Sequence, residues 1–274
     1  MIEKKRGRVS GRSAIVFGGG VAGDGLGNGK AAAMLLAREG AWVAVADVVM
    51  DRAEDSCAAI RAEGGTAIPL LCDVSDPAAV AAAVAQTKQT FGGIDILVNN
   101  VGIGGPGAGL FAYEEADWDR VFAVNIRGVF TTARHVVPIM LEKGYGRIVN
   151  ISSTAALRVT NGNPSYAYAA SKAAVIQLTQ SLALEFARLG IRANCVVPGM
   201  IDTPHASAAF RRRLPREEAD RIIAARTRTS PTGSQGSPWD IAQSVLFLSE
   251  EAVGYVNGAA LVVDGGFTLA TPGW

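Results

Sequence analysis

Apolar and polar positions alternate in blocks along most of this chain. Short, mostly apolar runs, rich in β-branched residues, fall at 14–17, 42–46, 67–71, 94–98, 147–151, 192–197 and 260–263. Between them lie Ala-rich stretches with helical spacing, at roughly 28–39, 50–63, 76–91, 115–142, 166–189 and 238–249. Strands that are apolar on both sides are covered on both faces, and strand–helix alternation does this with a parallel sheet. The pattern predicts an α/β protein with a doubly wound parallel sheet of about seven strands. No composition break or internal repeat divides residues 13–274, so they read as one domain. Residues 1–12 are basic and read as a solvated N-terminal tail. Residues 203–237 lack a strand pattern and contain Pro204, Pro215 and Pro231.

Composition narrows the class. The 274 residues carry a formal charge of +1, which gives no bulk attraction to nucleic acid or to an anionic membrane. No apolar run has the length needed to span a bilayer, and the start does not have the form of a signal peptide. Three cysteines (Cys57, Cys72, Cys195) share no metal or redox spacing, and there are two histidines, His135 and His205. We therefore expect a cytoplasmic protein with reduced thiols and no metal site.

Two stretches carry candidate chemistry. The first apolar run leads into seven glycines between Gly18 and Gly29 and then a helical stretch. Such a turn lets the backbone approach a pyrophosphate at a helix N-terminus. The second run ends at Asp47, eighteen residues past Gly29, where a carboxylate accepts from a ribose 2′-hydroxyl and repels a 2′-phosphate. The second stretch is the helix at 166–189, where Tyr168 and Lys172 lie four apart on one face. A phenol ionises near pH ~10, and an adjacent ammonium favours the phenolate, bringing Tyr168 towards use as a base. Ser152 and Ser153 end the preceding strand, where a hydroxyl can hydrogen-bond an alcohol or carbonyl oxygen. The spacing alone also fits a surface helix on which a Tyr packs beside a Lys.

The landmarks in order are the glycine-rich turn, Asp47, Cys72-Asp73-Val74, Asn99-Asn100-Val101-Gly102, Asn125 within VNIRGVF, Ser153, Tyr168-x-x-x-Lys172, the PGMIDTP run from Pro198 to Pro204, and NGAALVVDGG near the C-terminus. In these the chain resembles the short-chain dehydrogenase/reductase family over nearly its whole length. The resemblance implies a single-domain Rossmann fold. It implies that Tyr168 is the general acid/base, that Ser153 positions the substrate oxygen, and that Lys172 holds the nicotinamide ribose and depresses the tyrosine pKa. Asn125 would kink its helix and hold a water in a proton relay. The dinucleotide would meet Gly18, Gly25, Gly27 and Asn28 at the turn, Asp73 and Val74 at the adenine, and Asn99 and Gly102 beside the ribose. Pro198, Ile201 and Thr203 would wrap the nicotinamide. Ile103, Ala155, Asn163, Met200 and His205 would line the substrate pocket, and 203–237 would form its lid. The resemblance also implies a homotetramer.

The chain departs from the family pattern in three places. Phe17 stands where a Thr usually precedes the first glycine, and the loop is lengthened and carries Asp24. NNVG replaces the commoner NNAG. Thirteen residues after Ser153 stands Tyr166, followed four later by Ala170, whereas Tyr168, fifteen after Ser153, has Lys172. The proton chemistry needs the lysine, so Tyr168 is taken as catalytic, with a two-residue insertion within 154–165. The lid carries Arg211, Arg212 and Arg213, which fit either an acidic substrate or a solvated helix face.

The reading is an NAD-dependent oxidoreductase that interconverts a secondary alcohol and a ketone, NADP being the less favoured cofactor. Two rivals are an NADPH-dependent 3-oxoacyl-type ketoreductase and a non-catalytic dinucleotide-sensing protein.

Overall fold

The sheet forms because its strands bury both faces. In the computed structural model, residues 7–23, 25–106, 109–159, 165–204, 215–227 and 229–270 are described. Strand β1 (Ser13–Phe17) and strands β4 (Ile96–Asn99) and β5 (Gly146–Ile151) are buried at every position. Ala14 and Val16 of β1 point into one core, with α1 (Asn28–Arg38), α2 (Met50–Ala62) and a late helix at Pro238–Ser249. Ile15 and Phe17 point into a second core, with α3 (Pro77–Phe91) and α5 (Gly128–Lys143). This two-residue alternation, rather than any polar face, is why the strands read as mostly apolar runs.

With β2 (Trp42–Asp47), β3 (Thr66–Leu71), β6 (Ile191–Pro198) and β7 (Ala260–Val263), seven parallel strands run in the order β3-β2-β1-β4-β5-β6-β7. The order reverses between β1 and β4. In open sheets of this kind ligands bind beyond the strand C-termini at such a switch point. Phe17 of β1 stands beside Asn99 of β4, and Asn99 beside Asn150 of β5, so these strand ends define the crevice floor.

Helix ends obey local chemistry. Asp76 accepts from the Ala78 amide at 2.9 Å and caps α3, which starts with Pro77. Ser237 and Asp240 form a capping box at Pro238–Ser249. The start of α1 differs, since Gly27 provides no side-chain cap there.

Two details depart from the sequence expectation. The stretch at 115–142 is not one helix but α4 (Glu115–Phe122), a π-helical turn at Ala123–Arg127, and α5. A π turn inserts one residue and rotates the helix beyond it, which apolar periodicity does not reveal. The segment just before β1, expected to be part of a solvated tail, is docked. Val9 is buried, its amide donates to the Glu39 carbonyl, and Arg8 and Arg12 pair with Glu250 and Glu251. Burial of Val9 and these pairs outweigh the solvation of a basic segment. Residues 203–237, expected to form a small helical lid, contain a helix at Arg216–Thr227, here α7, which makes Pro238–Ser249 α8. Helix α6 (Tyr166–Phe186) continues through a 3₁₀ turn and closes at Gly190, as the sequence predicts. Among the described residues no helix is long and apolar enough to cross a membrane.

Candidate active site

Helix α6 begins beside the C-terminal end of β5 and brings Tyr168 and Lys172 to that edge one turn apart. Lys172 is 3% exposed and has no carboxylate partner among the described residues. Its ammonium donates to the Ile151 carbonyl at 2.9 Å and towards the Val101 carbonyl at 3.5 Å. Burial without a counterion lowers its pKa to about 8, with the buried Cys195 behind it pulling weakly the other way. Gly102 lies against the ammonium, where a Cβ would come within 2.9 Å of Nζ. A side chain at 102 would have to displace the end of Lys172.

Tyr168 is partly buried. Burial raises its pKa, and a hydrogen bond from Ser153 opposes the shift. The expected depression by Lys172 is not what dominates here: Nζ stands 5.9 Å from the ring centroid, and desolvation of the phenol wins. The tyrosine is thus held in its protonated form. Ser153 has extended backbone at the start of a 3₁₀ turn (Thr154–Ala156), and its Oγ accepts from the Ala155 amide at 3.2 Å. Ser152, on the opposite side of the chain, is buried and donates to the Lys172 carbonyl at 2.7 Å, so it is committed to holding α6.

Asn125 sits in the π turn. Its Oδ1 accepts from the Ile103 amide at 2.8 Å, and its Nδ2 donates to the Ile103 carbonyl at 3.0 Å and to Ser171 Oγ at 3.0 Å. The side-chain amide therefore ties the loop after β4 to α6. Ser171, which donates to the Tyr168 carbonyl at 2.8 Å, completes this tie. Sequence reasoning passed over it as one of many small residues on α6.

The dinucleotide side of the crevice has a geometry of its own. The first-turn amides of α1 have no side-chain cap, and Asn28 Oδ1 is buried without a protein partner. Gly29 packs so closely on the Gly18 carbonyl that any Cβ would collide with it. Asn100 Nδ2 holds that same carbonyl at 2.8 Å. Gly27 is the N-cap itself, and Gly25 lies against Pro204. At the end of β2, Asp47 accepts from the amides of Gly20 at 3.2 Å and Val49 at 3.1 Å, which leaves lone pairs for further donors. An open helix N-terminus, a close glycine turn and a carboxylate at the next strand end fit the pyrophosphate and ribose of a dinucleotide.

The remaining expected residues divide between the crevice and the interior. Asp73 Oδ1 accepts from the amide and hydroxyl of Ser75 at 2.8 and 2.7 Å, and Val74 is buried against Gly128. The side chain of Asn99 does not face the crevice. It is buried between Asn150, to which it donates at 2.9 Å, and Thr132, from which it accepts at 2.8 Å. Alternation along β4 turns Asn99 into the protein and leaves Asn100 at the rim, so the expected ribose contact cannot come from the Asn99 side chain. Pro198 ends β6, Ile201 bridges to Gly236, and Thr203 lies just beyond. Ile103 is fixed by Asn125, Ala155 donates its amide to Ser153 in the 3₁₀ turn, and the Met200 carbonyl accepts from the Gly236 amide at 2.9 Å. Asn163, His205, Asp24 and Arg211 to Arg213 lie outside the described residues. Tyr166 forms an edge-to-face pair with Tyr113 at 6.2 Å, giving an aromatic wall at the start of α6. A cavity of about 210 Å³ opens on the other side of the 103–106 loop, between it and Asp117, Arg120 and Val121. Neither Ser153, Tyr168 nor Lys172 lines it.

Comparison with known proteins agrees with this layout. A family model described as enoyl-(acyl carrier protein) reductase matches residues 20–268. The chain is 41% identical to 2-(R)-hydroxypropyl-CoM dehydrogenase of Xanthobacter autotrophicus, over 90% of this chain and 97% of that protein. It is 38% identical to the (2S)-[(R)-hydroxy(phenyl)methyl]succinyl-CoA dehydrogenase subunit BbsD of Thauera aromatica, over 91% and 95% of the two chains. A crystal structure of a short-chain dehydrogenase/reductase from Burkholderia xenovorans superposes with a TM-score of 0.92 at 37% identity, covering 97% of this chain and 99% of that one. The chain thus belongs to the short-chain dehydrogenase/reductase family, as an oxidoreductase of CH–OH groups that uses a nicotinamide dinucleotide.

Proposed function

We propose that the protein oxidises a secondary alcohol to a ketone with NAD, and reduces the ketone in reverse. The observation that carries this reading is the convergence at one sheet edge of Tyr168, its hydrogen-bonding partner Ser153, and Lys172, beside the uncapped start of α1. When bound, the dinucleotide supplies the hydride acceptor. Gly18, Gly25, Gly27 and Asn28 would hold its pyrophosphate, Asp47 its adenosine ribose, Asp73 and Val74 its adenine, and Pro198, Ile201 and Thr203 its nicotinamide end. Ser153 donates to the substrate oxygen, and Tyr168 exchanges a proton with it. Because burial keeps Tyr168 protonated, the protein as it stands is set to donate that proton. To accept one, the phenolate needs a charge brought close, and Lys172 is the cation within reach.

Asp47 supports NAD over NADP, since a 2′-phosphate would meet its carboxylate. A second reading, an NADPH-dependent 3-oxoacyl-type ketoreductase, draws on Arg52, whose Cβ lies near Gly20 at the same strand end. We further infer a homotetramer. Trp118 of α4, Phe130 of α5 and Leu184 of α6 are exposed, and β7 is an edge strand with half-exposed Val262.

The test is the rate of absorbance change at 340 nm with NAD and with NADP against aliphatic, alicyclic and aryl alcohols. Turnover preferring NAD supports the reading. Turnover with NADPH on 3-oxoacyl thioesters alone moves it to the second.

A further inference from the structure

The side of the cleft away from the dinucleotide turn is framed by three segments, and one side chain joins two of them. Arg158 lies just past the 3₁₀ turn that Ser153 starts, and its own amide donates to the Thr154 carbonyl at 3.0 Å. Its guanidinium reaches over a hundred residues along the chain to the C-terminal segment. There one nitrogen donates to the carbonyls of Phe267 at 2.8 Å and Ala270 at 2.6 Å, while the group lies 5.5 Å from the Phe267 ring centroid. These acceptors bracket the 3₁₀ helix Phe267–Leu269, where carbonyls are left unpaired and a cation is favoured.

That helix is itself fixed to the third segment. Asp264 turns the chain after β7 by accepting from the Gly266 amide at 2.8 Å and from the amide and hydroxyl of Thr268 at 2.7 Å each. The Gly265 carbonyl accepts from Ser230 Oγ at 3.2 Å and from the Thr232 amide at 3.3 Å. A few residues on, Gly236 pairs with Met200 and Asp202, next to the Pro198–Thr203 run. The Ser153 turn, the C-terminal turn and the base of the lid thus form one hydrogen-bonded frame.

Resting on the oxidoreductase reading above, we propose that Arg158 is a positioning residue. It clamps the C-terminal turn against the Ser153 turn and so fixes the wall that sets which alcohols fit. Its Nη1 is committed to two backbone carbonyls and the guanidinium lies near an aromatic ring, so this contact holds the turn in place. The discrimination it supports is one of size and shape.

The test uses the full-length protein and its Arg158→Ala and Arg158→Lys variants, with two readouts. The first is amide hydrogen exchange at 153–159 and 264–270. The second is KM and kcat for a small and a bulky alcohol, with NAD affinity by calorimetry. We expect faster exchange in both segments of Arg158→Ala and NAD affinity unchanged. The KM for the alcohol should rise by roughly tenfold, the loss of a charge-assisted contact, with a smaller change in kcat. The bulky-to-small KM ratio should shift, and Arg158→Lys should recover part of it. An even loss of kcat for both alcohols with unchanged KM ratio would mean a merely structural role and overturn the proposal. Unchanged exchange at 264–270 overturns it whatever the kinetics. If the wild-type protein turns over no alcohol, the oxidoreductase reading fails separately, and the exchange result alone decides the clamp.

Discussion

The two edges of the sheet use charge in opposite ways. At the N-terminal edge the buried charges are closed into a network. Asp95 accepts from the Ser13 amide and hydroxyl at 2.8 and 2.9 Å and pairs with Lys143 at 3.1 Å. The Tyr145 ring is held between the guanidiniums of Arg12 at 3.8 Å and Arg147 at 4.4 Å. Arg147, 5% exposed, donates to the carbonyls of Gly146, Gly190 and Glu250. At the C-terminal edge Lys172 is equally buried but meets carbonyls only, Tyr168 is desolvated, and Asn28 Oδ1 has no protein partner. One edge pairs its buried charges and holds the fold, with the Tyr145 hydroxyl the buried polar atom left without a partner there among the described residues. The other leaves its polar groups strained or open, which is the arrangement expected where chemistry draws on perturbed groups.

Substitutions at each edge can break this contrast. Of Lys172, Arg147 and Asp47, the change Lys172→Met should produce the largest effect. We expect the alcohol oxidation rate to fall about 10²–10³-fold, the scale of losing acid–base assistance. The same change removes an uncompensated buried ammonium, so chemical denaturation at pH 7 should show a variant at least as stable as the wild type. The pH dependence gives the sign. With a folded pKa of about 8 against 10.5 unfolded, the unfolded chain binds more protons between those values. The lysine therefore raises stability as pH climbs from about 8 to 10, by up to about 1.4 kcal/mol per unit. The three buried cysteines, raised to about 11 or 12, act in the opposite direction over this range, so the wild-type minus Lys172→Met difference is the quantity to measure. A flat difference would remove the strained-lysine account.

Arg147→Ala should do the reverse: a loss of about 2–4 kcal/mol in urea unfolding, from abandoned carbonyls and lost packing, with NAD affinity unchanged. A comparable loss of NAD affinity would show that the two edges are not independent. Smaller still is Asp47→Ala, for which we expect the NAD-to-NADP preference to fall by about 10–100-fold, the value of one or two charge-assisted hydrogen bonds. An unchanged preference would transfer the selectivity to Arg52.

Much of this was legible in the residues. The strands announce themselves because both faces are apolar, and Gly190 marks a helix end by its left-handed conformation. Tyr168 rather than Tyr166 was singled out by its lysine alone, and the structure puts Tyr166 against Tyr113 instead. Side-chain direction at strand ends was less legible. Asn99 and Asn100 are adjacent and chemically identical, and only the register of β4 decides which one is buried. The resemblance implied a kink at Asn125, but the π turn that makes it was not legible, since apolar spacing does not register one inserted residue. The Arg158 clamp was invisible because its two ends lie more than a hundred residues apart. Nor could spacing say whether burial or the lysine would govern Tyr168.

The most direct test of the central claim compares the wild type with Tyr168→Phe. NAD affinity is measured by calorimetry, and hydride transfer at 340 nm in single turnover with an alcohol the wild type accepts. The account predicts NAD binding within about twofold of wild type and a transfer rate reduced about 10²–10⁴-fold, the worth of a positioned general acid/base. Transfer that persists near the wild-type rate with NAD still bound would contradict it.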